Sequence, residues 1–191
     1  MVTGSDNSVT AGPKKGLFRP QLIYPLIAAG LVIAVVLSFG GNILVPRLQK
    51  EAPERLGDLE LIGAFTGAEA ITRVNQLHGL DVSLSGALIA AYTHSSPYHG
   101  NSRATVWVGR VASAEVAAGL TQRMAQSIAE GSSPFNNLRT ITVGGLAVFQ
   151  VDGPGGKHYF YRSKKEPESV VWLNIEASDP IPVLEEATKT F

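Results

Sequence analysis

The fold turns on residues 153–165, "GPGGKHYFYRSKK". A glycine-rich turn, a lysine and alternating aromatics stand together here, and two readings compete: a phosphate-binding loop or a β-hairpin. A Walker loop requires Gly-x4-Gly-Lys-Ser/Thr between a strand and a helix. With Lys157 as its lysine, the first glycine falls on Val151 and the hydroxyl on His158. The residues that follow alternate like a strand, so no helix N-terminus would face the loop. The hairpin reading stands, and antiparallel pairing comes with it.

Outward from this turn the pattern continues. "TVGGLA" (142–147) marks a tight hairpin between strands over 138–143 and 146–151. Strands over 157–163 and 169–177 follow, then a helix from about Pro180. Upstream, "GALIAAYTH" (86–94) and "RATVWVGRV" (103–111) read as strands, and "LELIGAF" as a short one. Between them "TGAEAITRVNQLHG" follows the capping-box pattern, Thr66 as cap and Glu69 three residues on. Its apolar face is Ala70, Ile71, Val74 and Leu77, and Gly79 suits its end. A second helix is capped by Ser113 and runs to about Glu130, with Val116, Ala117, Leu120, Met124 and Ile128 as its stripe and Gly131 beyond. The expected fold class is α+β: one N-terminal transmembrane helix, then a small domain whose antiparallel sheet of about five strands is packed by two or three helices.

The membrane expectation rests on Leu22–Phe39, eighteen residues without a charge. As a helix they span about 27 Å, near the hydrocarbon thickness of a bilayer. A cleavable signal peptide normally has a shorter apolar core, and "SFGG" matches a cleavage site poorly. The sequence therefore divides into a disordered cytoplasmic tail (1–20), a signal anchor (21–41), a connector (42–58) and an extracytoplasmic domain (59–191). Lys14, Lys15 and Arg19 before the span balance Arg47, Lys50 and Arg55 after it; the shorter tail, with charges nearer the span, places the N-terminus in the cytoplasm. The domain then lies outside, in the periplasm or at the cell surface. Gly30, Ala34 and Ser38 share one face of the span, a spacing that lets membrane helices pack closely.

Composition removes several classes of function. From Leu56 onward there are ten Lys/Arg against thirteen Asp/Glu, which argues against a nucleic-acid partner. With no cysteine, disulfides, thiolate metal sites and lipobox attachment are excluded. No G-x-S-x-G elbow occurs, and adjacent Glu185 and Glu186 on a helix diverge rather than pair, so no enzyme is expected. No cofactor is expected either. The four histidines, His78, His94, His99 and His158, are weak metal candidates, because no two have the i, i+4 spacing of a zincin helix.

The aromatics leave one face to explain. Alternation puts His158, Phe160 and Arg162 on one side of their strand and Tyr159 and Tyr161 on the other. If register allows, Trp107, Phe160 and Trp172 join His158 on a face opposite the helix over 114–130. That face either receives a partner or is covered by the helix over 67–78 and the C-terminal helix in a three-layer core. The functional expectation is a membrane-anchored binding domain, an accessory or assembly subunit whose partners are the bilayer and other membrane subunits. Two alternatives stand beside it: a metal- or haem-handling domain using the histidines, and a small-molecule or lipid sensor with a pocket on the aromatic face.

Overall fold

The computed structural model describes residues 52–78, 82–94 and 102–191. Its strands are β1 (Arg55–Leu56), β2 (Leu59–Thr66), β3 (Gly86–Thr93), β4 (Arg103–Arg110), β5 (Asn136–Val143), β6 (Leu146–Gly153), β7 (Gly156–Arg162) and β8 (Ser169–Glu176). The helices are α1 (Gly67–His78), α2 (Ala114–Ala129) and α3 (Ile181–Thr190). All eight strands join one antiparallel sheet in the order β1-β2-β3-β4-β8-β7-β6-β5. Neighbours in sequence are neighbours in space within β1–β4 and within β5–β8, so each half assembles locally. Only the β4–β8 pairing is distant along the chain, and it joins the halves at the centre.

Local chemistry sets the reversals. Gly144 and Gly145, with φ of 56° and 77°, make the β5–β6 turn, a conformation that a Cβ would penalise. Between β6 and β7 the two-residue loop is Pro154-Gly155, where proline presets one dihedral and Gly155 supplies a φ of 81°. Lys157 meets Asp152 across this hairpin at 3.2 Å, so the lysine that suggested a phosphate loop is one half of a surface ion pair. Ser113 caps α2 by accepting the Val116 N–H at 3.3 Å.

Alternation along the strands sends two sets of side chains to two faces. One face carries Leu88, Ala90, Val106, Leu173 and Tyr161, covered by Val183, Leu184 and Ala187 of α3. Ala52 and Leu56, from the stretch read as a connector, are buried in this same core. The other face is covered by α1, packed on Ala87, Ile89 and Trp107 through Ala70 and Val74, and by α2. Three layers result, helix on sheet on helix.

The expected fold class is corrected in two respects. The sheet has eight strands rather than about five, and the domain is mostly sheet, because α1 and α2 are excursions between strands of one sheet and do not divide it. No helix among the described residues is long and apolar enough to cross a membrane. The longest, α2, has 16 residues and exposes Glu115, Gln122 and Arg123, whereas a span needs about 20 predominantly apolar residues. The transmembrane helix expected over 21–41, with Gly30, Ala34 and Ser38, falls outside the described residues.

The face assignment also changes. Trp107, His158, Phe160 and Trp172 do share one face, but α2 packs on that face rather than opposite it. The covering helices are α1 and α2, while the C-terminal helix closes the other side.

Candidate functional site: an apolar cleft over paired tryptophans

Register aligns large side chains into a row across the sheet. Phe65, Ile89, Trp107, Trp172, Phe160 and Phe149 are successive cross-strand partners from β2 to β6. Same-face neighbours on adjacent strands lie within side-chain reach, so the rings stack. Phe160 lies 5.0 Å from Trp172 and 4.9 Å from Phe149, both in stacked geometry. At the outer end, Arg73 of α1 sits over the Phe65 ring at 3.9 Å.

The two helices do not cover this row equally. α2 lies close to the sheet because its buried positions are small: Ala117, Thr121 and Ala125, with Ile128 at its end. The bulkier Leu120 and Met124 are therefore half-exposed at its flank, and Val116, expected in the buried stripe, is exposed. Between α1 and α2, above the central β4–β8 pair, a cleft of about 140 Å³ remains. Trp107, Gly109, Val170 and Trp172 lie along its sheet side, Val74, Leu120 and Met124 belong to the helices, and Val82, Leu84 and Phe135 come from the connections. Gly109 helps to keep it open: a methyl group there would sit 3.2 Å from Leu84.

His158 also borders the cleft, and its hydrogen bonds fix its chemistry. Nδ1 accepts the indole N–H of Trp172 at 3.1 Å, which requires that nitrogen to be unprotonated. Nε2 then carries the proton and donates to the Pro154 carbonyl at 2.8 Å. The Asn174 amide lies 3.4 Å from the same Nε2, but both groups are donors in this tautomer, so Asn174 donates instead to the carbonyls of Gly155 and Lys157. Burial lowers the His158 pKa below its ordinary value and keeps the ring neutral, although its bond to Pro154 and the charge of Glu176 oppose the shift. Both nitrogens are committed. The ring locks the β6–β7 turn to β8, and neither nitrogen is left to ligate a metal or to relay a proton.

The remaining histidines are scattered. His94, at the end of β3, has its Nε2 3.7 Å from an Asp58 carboxylate oxygen. His78 ends α1, and His99 lies outside the described residues. Among the described residues no group of three or more His, Asp or Glu side chains is arranged to hold a metal.

Sequence reasoning missed Phe135 and Gly109, and also Val82 and Leu84 of the connection before β3. "SSPFNN" reads as a polar loop, yet its phenylalanine enters the aromatic cluster, edge-on to His158 at 4.9 Å and to Trp172 at 4.8 Å. The available signal was a lone apolar ring in a loop of small polar residues. For Gly109 the signal was a glycine inside a strand pattern, which marks close approach.

No protein-family model matches the chain, and no curated protein or solved structure does either. The expectation of an accessory subunit of a membrane complex therefore draws no support from any family or relative.

Proposed function

We propose that this is a ligand-binding domain whose cleft between α1 and α2 takes a small apolar group. The observation that carries the reading is the lining: an indole-floored cavity of about 140 Å³ bounded almost wholly by apolar side chains. A dry cavity of about this size, about 150 Å³ and lined by Leu, Ile or Phe, accepts benzene or xenon. Pockets of this type draw affinity from displaced water and dispersion, with few polar groups for orientation. His158 supports the reading by keeping its polar atoms engaged with protein groups.

The test is thermal unfolding of the purified domain with rising benzene, alongside methyl NMR of Val74, Leu120 and Met124. A ligand at about 100 times its Kd raises stability by about 2.7 kcal/mol. The expected outcome is a saturable rise in Tm with shifts confined to the methyls that line the cleft, those of Val82, Leu84 and Val170 included. Leu120→Trp, which fills the cleft from its half-exposed wall, removes the rise. Absence of any rise in the natural protein, or an equal rise in the filled variant, rejects the proposal.

A further inference from the structure

Phe135 borders two cavities. It closes one side of the cleft and also lines a surface groove of about 520 Å³ between the end of α2 and the start of β5, with Ile128, Pro134 and Leu138. Its ring lies directly on the backbone of Gly153: a methyl group added there would overlap it, with Cε1 at 2.5 Å. A bare α-carbon thus seats the ring against His158 and Trp172.

Apart from the Ser132 N–H, which donates to the Ser127 carbonyl of α2 at 2.9 Å, the segment bearing Phe135 is held lightly. Two left-handed residues bracket it, Gly131 (φ 72°) and Asn137 (φ 54°), the latter the single non-glycine residue with positive φ among those described. Strand pairing begins only at Asn136 and is interrupted by a register shift before Arg139. The Phe135 N–H bonds to the Ser133 hydroxyl at 3.2 Å, within the loop itself. Past the bracket, Asn137 is anchored by donating to Asp152 at 2.8 Å. Contacts of the ring are therefore the main attachment of residues 132–135 to the sheet.

We infer that Phe135 is a movable gate, and that with the ring aside the cleft continues into the α2–β5 groove to hold an elongated alkyl or acyl chain. This rests on the binding function proposed above and extends it from a compact group to a chain. A closed gate holds back binding of the long ligand by the fraction of time it is shut, and a change that opens it recovers that affinity.

Gly153→Ala tests this directly, because its methyl displaces the ring while the backbone at that position needs no positive φ. Titrations of the full chain with benzene, octanol and dodecanol compare the natural protein with Gly153→Ala and with Phe135→Ala. The expected result is about tenfold tighter and faster dodecanol binding in both variants, with a smaller change for benzene, which occupies the cleft that the ring borders. Contacts should also appear by NMR between the chain's terminal methyl and Ile128 and Leu138. Affinity should rise from octanol to dodecanol, by up to about fourfold per methylene. If benzene binds but dodecanol gains nothing in either variant, the gate is refuted and the cleft remains a compact site. If benzene itself fails to bind, the binding function falls and the gate with it.

Discussion

Under α3 the sheet presents aliphatic side chains and tyrosines to one helix; Leu173, Leu184, Tyr161 and Val148 are fully buried there, and a groove opens at the end of the helix beside Leu88, Val108 and Phe191. On the reverse face two helices share the cover, and the seam between them falls over Trp107 and Trp172. The same strands build both faces, so strand composition alone does not explain the gap. It arises because α1 belongs to the β2–β3 half and α2 to the β5–β8 half, while the join runs through β4–β8. A seam between locally assembled halves is where such a fold leaves room.

The filled face should show the largest response to truncation. Leu184→Ala is expected to cost about 3 kcal/mol, read as a lower denaturant midpoint at unchanged slope. A cost below about 1 kcal/mol would mean that this face is as loosely packed as the seam.

His158 is the polar anchor of the cleft face. His158→Phe leaves the Trp172 N–H and the Pro154 carbonyl without their partner, and should cost about 2 kcal/mol at neutral pH. Its folded pKa is lowered, so below the ordinary value of 6.5 the unfolded chain takes up a proton that the folded one refuses. Stability should therefore be flat above that pH and fall below it, until the folded ring also titrates. In His158→Phe this decline should vanish. Asp152 and Glu166, whose pKa values are lowered chiefly by hydrogen bonds from Asn137 and Arg110, lose their contribution only at more acidic pH. The two windows separate in a pH series of denaturation midpoints.

The filled face also holds a surplus. The hydroxyls of Tyr92 and Tyr161 are buried without a hydrogen-bond partner among the described residues, and burial raises both pKa values. Tyr161→Phe removes an unsatisfied group and should stabilise by about 1 kcal/mol, a gain visible in Tm. Destabilisation instead would reveal a partner for that hydroxyl. The smallest effect belongs to the seam: Leu120→Ala, at a wall that already borders empty space, should cost less than about 1 kcal/mol. A loss matching that of Leu184→Ala would erase the contrast between the faces.

Much of this architecture was legible residue by residue. Strand-like runs, some of them alternating, located seven of the eight strands, Ser113 announced α2, and Gly144-Gly145 announced a hairpin. β1 escaped because two residues carry no period. The strand count of the sheet and the side on which α2 lies depend on β4–β8, a pairing that no local pattern encodes. The cleft was half legible. Alternation brought Trp107, Trp172 and His158 to one face, but Phe135 reaches them only because Gly153 lies bare beneath it, from a different element. The positions of Leu120 and Met124 at the flank follow from the small residues at 117, 121 and 125, which set how α2 rolls against the sheet.

Trp107 and Trp172 are the only tryptophans of the chain, and both line the cleft. Nearly all of the protein's intrinsic fluorescence therefore originates at the seam and none from a tryptophan under α3. An occupant of the cleft, a displaced Phe135 or a protonated His158 each alters the surroundings of an indole directly, while rearrangement of the opposite core does so only through the sheet. The fold thus carries a native optical reporter at the cleft between α1 and α2.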